Sequence, residues 1–136
     1  MARVAVIGAG AIGGTLAAWL AQSHEVTVCA RSPLADLEVE TPEGVIRAAP
    51  RILTDPAGGS AVDWILCTTK TYDCTAAAAW LPGLMGPATR LAVIQNGVEQ
   101  RDRFPQVPAQ RTVPVIIDLP AERHAPGRIV QRRNGT

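Results

Sequence analysis

The chain has 136 residues, enough for one ordinary domain and too few for a second of similar size. With 47% hydrophobic and 18% charged residues it is neither a disordered segment nor a highly charged tail. A formal charge of +1 gives no global field toward nucleic acid or membrane, so a soluble, cytoplasmic domain is expected, with neither as a partner.

Residues 2–7 (Ala-Arg-Val-Ala-Val-Ile) form a short β-branched run that ends at a glycine, as a buried parallel strand does. From Ala11 to Gln22 the period changes. Ile12, Leu16, Trp19 and Leu20 recur at helical spacing and predict a helix whose apolar stripe they form. Residues 25–29 are strand again, so the first thirty residues make a βαβ unit with a right-handed crossover. The glycines at 8, 10, 13 and 14 interrupt the apolar stretch that a signal peptide would need.

Leu37–Thr41 and Val45–Ala48 alternate around Pro42-Glu43-Gly44 and predict a small hairpin. A short strand is expected at Arg51–Leu53 and a clear one at Ala61–Cys67. Thr71–Leu81 reads as a helix with Asp73 in its first turn, stopped by Pro82. Leu91–Ile94 is strand, Gly97–Arg103 a helical turn, and Val113–Asp118 a strand that Pro114 confines to an edge or to its own start. Arg128–Arg132 is the last strand. The alternation defines an open, mostly parallel α/β sheet.

Gly8-Ala9-Gly10-Ala11-Ile12-Gly13 is G-x-G-x-x-G placed between a strand and a helix. In that context Gly8 makes the tight turn, Gly10 lets the backbone approach a pyrophosphate, and Gly13 lets the helix pack on the strand. The helix N-terminus then offers unpaired N–H groups to the phosphates. This predicts a Rossmann-type, doubly wound domain with helices on both faces, over residues 1–136. At the end of the second strand, where an acid would select NAD, stand Arg31 and Ser32. A guanidinium there grips a 2′-phosphate, so NADP(H) is the expected cofactor.

Lys70 follows the strand ending at Cys67 and is the single lysine of the chain, against twelve arginines. Asn96-Gly97 follows the strand Leu91–Ile94; it reads equally as a plain turn or as an amide placed for hydrogen bonds to ribose or a polarised carbonyl. Both lie at strand carboxyl ends, where open α/β sheets place ligand contacts.

Val6–Gly14, Arg31, Thr69–Asp73, Gln95–Val98 and Ala125–Ile129, in this order, resemble the ketopantoate reductase (2-dehydropantoate 2-reductase) family. The resemblance implies NADPH-dependent reduction of a small 2-oxo acid, ketopantoate, on the route to pantothenate and coenzyme A. It assigns Arg31 to the 2′-phosphate, and Lys70 and Asn96 to the nicotinamide end as catalytic and cofactor-binding groups. A backbone contact to cofactor falls at Ala121 or Glu122. The family's glycine-rich hairpin is more basic here, at Gln131–Gly135. Its C-terminal helical domain, which carries the general-acid lysine and most substrate contacts, is expected outside these 136 residues. A chain ending at such an interface should expose an apolar patch and self-associate, as a homodimer for example.

No metal site is expected. Cys29, Cys67 and Cys74 are odd in number, lack ligand spacing and suit core positions. His24 and His124 fall in a turn and a loop, as surface residues. Two further readings stay open: an NADP-linked dehydrogenase acting on a β-hydroxy acid or an imine, and a non-enzymatic nucleotide-sensing module.

Overall fold

The computed structural model describes residues 1–69, 74–94 and 104–134, with Cys74 described by its backbone alone. The expected start of the helix at Thr71–Asp73 and the helical turn Gly97–Arg103 lie outside the described residues.

Six parallel strands form the main sheet: β1 (Arg3–Ile7), β2 (Glu25–Cys29), β5 (Arg51–Leu53), β6 (Trp64–Cys67), β7 (Arg90–Ile94) and β8 (Thr112–Val115). Their spatial order is β5-β2-β1-β6-β7-β8, so the chain runs outward from β1 in one direction and then restarts beside it in the other. That reversal between β1 and β6 opens a crevice at the strand carboxyl ends, where doubly wound sheets bind ligands.

Helices cover both faces. Val4 and Val6 of β1 join Val26 and Val28 of β2 against Ala17 and Ala18 of α1 (Ala11–Leu20). Ala5 and Ile7 turn the other way, toward Ile65, Leu81, Leu84 and Phe104. The continuous apolar run of β1 is therefore explained by burial on two faces.

A second, four-stranded sheet lies on the far side of α1. It holds the expected hairpin, β3 (Leu37–Thr41) and β4 (Gly44–Ala48), together with β9 (Ala121–Ala125) and β10 (Arg128–Gln131), in the order β4-β3-β10-β9. The parallel pairing of β3 with β10 joins segments some ninety residues apart, and β9 was not expected at all. Its sequence Ala-Glu-Arg-His-Ala carries no apolar alternation to mark it.

This second sheet corrects the reading of α1. Its buried residues are Gly13, Gly14, Thr15, Ala17 and Ala18, whereas Trp19 of the expected apolar stripe is 42% exposed and Ile12, Leu16 and Leu20 are half-buried. A helix between two sheets must present small side chains to both. A Cβ at Gly14 would collide with Ile129 of β10. Trp19 instead reaches across to the second sheet, donating its indole N–H to Gln131 Oε1 at 3.0 Å.

Pro82 also plays a different part. The expected helix consists of α2 (Cys74–Ala78) and a separate single turn α3 (Leu81–Leu84), and Pro82 sits in the first positions of the latter. It starts a turn, where its missing N–H has no helical partner to lose, and does not end one. Pro114 lies within β8, the edge strand, as expected. That strand closes at Val115, short of the expected Asp118.

Candidate cofactor site

The crevice at the carboxyl ends of β1, β2 and β6 is a cavity of about 610 Å³. Ile7, Gly8, Ala9 and Gly10 form its floor. Cys29–Leu34 wall it on the β2 side, Thr68 and Thr69 follow β6, and Ala76, Ala77 and Trp80 close the α2 side. Arg123 and Pro126 reach it from the second sheet.

The glycine loop is built by three different constraints. Gly8 has φ +106°, a conformation that side chains resist, and its N–H donates to Cys29 O at 2.9 Å, fixing the turn to β2. Gly13 lies so close to the loop that a Cβ would strike the Gly8 carbonyl oxygen and Thr68 Oγ1. Thr68 in turn donates its hydroxyl to Ile7 O at 2.9 Å, which ties β6 to the end of β1. Gly10 is unlike both. Its φ of −77° suits any residue, and among the described residues a Cβ there would meet nothing within 4 Å. No described residue requires glycine at this position, and Gly10 lines the cavity.

Gly10 is also the N-cap of α1, with no side-chain cap and no acidic residue in the first turn. Ala11, Ile12 and Gly13 thus form a first turn whose N–H groups lack helical partners, with the positive end of the dipole beside the cavity floor. Arg31 and Ser32 stand on the wall just beyond β2, both exposed. No aspartate or glutamate lines the cavity among the described residues, whereas two arginines do. The chemistry is that of a polyanion site: backbone donors at one place, guanidinium groups at another, apolar surface between them. A dinucleotide bearing a pyrophosphate and a ribose phosphate fits that donor set.

Other expected residues are placed as follows. Lys70 and Asn96 lie outside the described residues. Glu122 is in β9 but does not line the cavity; its carboxylate accepts from Arg132 Nε at 3.1 Å and Nη2 at 2.7 Å. That hydrogen-bonded pairing, and the Arg132 charge, hold the Glu122 carboxyl below the usual carboxylate range. The residue beside it, Arg123, lines the cavity instead and was missed, because a charged residue in an apparent loop gives no sign of where it faces. Thr68 was likewise missed as the support of the glycine loop. His124 is exposed and 3.7 Å from Glu122, while His24 is only half-buried, its Nδ1 accepting the Ala2 N–H at 3.0 Å.

Cys29 and Cys67 are buried in the core, as expected. Burial pushes the Cys29 thiol from 9.0 up to about 12, so at neutral pH it is an inert apolar group on the cavity wall. The unfolded chain releases this proton near pH 9 and the folded one only near 12. The stabilisation is therefore complete below pH 9 and lost as pH climbs toward 12. Urea unfolding between pH 8 and 11 should show stability falling less steeply in Cys29→Ala than in the unaltered chain; identical slopes would contradict the buried, protonated thiol.

A parallel sheet restarted at β1, a glycine-loop helix terminus and an arginine after β2 define a dinucleotide-binding domain of the Rossmann type. A family model, Ketopantoate reductase PanE/ApbA, matches residues 4–136, and the chain belongs to that family. The 2-dehydropantoate 2-reductase of Caulobacter vibrioides is 57% identical over 138 residues, covering 99% of this chain and 48% of its own length. That of Mycobacterium tuberculosis H37Rv is 32% identical, covering 91% of this chain and 43% of itself. Among solved structures, 2-dehydropantoate 2-reductase from Porphyromonas gingivalis W83 has a TM-score of 0.87 at 27% identity, over 98% of this chain and 52% of that one. The chain spans about half the length of the curated relatives it matches.

Proposed function

We propose that residues 1–136 are the NADP(H)-binding half of a cytoplasmic oxidoreductase that reduces 2-dehydropantoate to pantoate. One arrangement supports the cofactor assignment: Gly10 and Arg31 line the same cavity, and among the described residues no carboxylate lines it. The α1 N-terminus binds the pyrophosphate, and Arg31 with Ser32 binds the ribose 2′-phosphate. Bound in this way, a nicotinamide cofactor supplies the hydride for a carbonyl carbon. The substrate assignment rests on family membership and on the names of the relatives.

On this reading Lys70 and Asn96, carried by resemblance, donate hydrogen bonds to the substrate carbonyl oxygen and polarise it. The proton for the product alkoxide and most substrate contacts come from sequence beyond residue 136. Family membership favours this activity over the β-hydroxy acid, imine and sensing readings.

Calorimetric titration tests the cofactor assignment. NADPH should bind about ten- to a hundredfold more tightly than NADH, since hydrogen bonds to a charged group contribute roughly 1.5–3 kcal/mol. Arg31→Ala should lower that preference. Equal affinity for the two cofactors, or a preference indifferent to Arg31→Ala, would rule out the role given to Arg31.

A further inference from the structure

We propose that Arg123 is a second specificity-determining contact for the 2′-phosphate, so that the second sheet supplies one arm of a two-arginine clamp. The inference rests on the cofactor reading above and extends it to a residue of a separate sheet.

The placement follows from strand register. Arg123 of β9 pairs with Ile129 of β10, and cross-strand partners share a face of the sheet. That face is the one turned toward α1, because a Cβ at Gly14 would strike Ile129. Glu122, one residue earlier, points to the opposite face and is engaged by Arg132. Alternation thus sends the cation of β9 to the cavity and its carboxylate away.

The β9–β10 turn is fixed against the segment that follows Arg31. Glu38 N–H donates to Gly127 O at 2.8 Å, Arg128 Nη1 to Asp36 Oδ1 at 2.7 Å, and a Cβ at Gly127 would strike Asp36 O. Leu34 lies against this turn, 3.6 Å from where a Cβ at Gly127 would stand, and Leu34, Pro126, Arg31 and Arg123 all line the cavity. On the cofactor reading, the residues that follow β2, Arg31 to Leu34, wall the ribose side of this cavity. Arg123 has no hydrogen bond or ion pair among the described residues. An arginine with no carboxylate partner among the described residues, lining the same cavity as a second arginine, is suited to a doubly charged oxyanion. The ribose phosphate is the group of that kind at this end of the dinucleotide.

The test is calorimetry with NADPH and NADH on the unaltered chain, Arg123→Met and Arg123→Lys, with thermal melts to confirm folding. Arg123→Met should weaken NADPH about tenfold and leave NADH within about twofold. Arg123→Lys, which keeps the charge and loses the planar fork, should fall between. Unchanged NADPH affinity in Arg123→Met would overturn the proposal. So would equal weakening of both cofactors, which would mean stacking on adenine and not contact with the phosphate. An unaltered chain that binds neither cofactor would overturn the underlying reading, and this one with it. A chain that binds both with equal affinity would do the same.

Discussion

Gly10→Asp should raise the stability of the domain slightly and weaken NADPH binding by roughly a thousandfold. The backbone at this N-cap is extended, at φ −77° and ψ −163°, and among the described residues a Cβ there meets nothing within 4 Å. Aspartate is a favoured N-cap and its charge suits the helix dipole, so a gain of about 0.5–1 kcal/mol is expected, read as a few degrees in Tm. The same carboxylate would occupy the space a pyrophosphate must enter and repel it. Two like charges about 4 Å apart near a protein surface cost about 4 kcal/mol, or roughly a thousandfold in affinity. Stability and binding should therefore move in opposite directions, which a purely structural glycine could not produce. A fall in Tm with binding retained would contradict the role assigned to Gly10.

Gly13→Ala should do the reverse and damage the fold first. In a helix interior this exchange normally gains about 1 kcal/mol. Here the new methyl would strike the Gly8 carbonyl oxygen and Thr68 Oγ1, and the backbone oxygen cannot move without opening the turn that joins β1 to α1. Overpacking of this kind costs about 1–3 kcal/mol, and more where backbone must shift. A net loss of about 2–4 kcal/mol is expected in urea unfolding, with weaker NADPH binding as a consequence of the displaced loop. A variant as stable as the unaltered chain would show that the helix does not approach the loop as closely as described.

The two glycines differ by three positions, and the G-x-G-x-x-G spacing alone anticipated the close packing at Gly13, so the geometry of this loop was legible in the sequence. That Arg31 would stand on the wall of this cavity was legible for a similar reason, from its place directly after β2. What the sequence could not convey was set by long-range pairing. The β3–β10 contact turns a local hairpin into half of a sheet and gives α1 a second buried face. Helical periodicity then misleads, because it counts large apolar residues while the packing is made by Gly13, Gly14, Ala17 and Ala18. Arg123 was hidden by the same cause, since its direction depends on a strand that only its partner β10 defines. Pro82 was misread because proline suits the first turn of a helix as well as the position beyond its last.

The central claim is that a dinucleotide lies with its pyrophosphate on the α1 N-terminus and its ribose phosphate at Arg31. A nitrogen–proton NMR titration of the labelled chain with NADPH reads this at the groups concerned. The amide signals of Gly10, Ala11, Ile12, Gly13 and Arg31 should shift together and saturate with one affinity. Those of β4, Gly44–Ala48, on the outer edge of the second sheet, should stay in place. Saturable shifts confined to other surfaces, with the Gly10–Gly13 amides unmoved, would contradict the account.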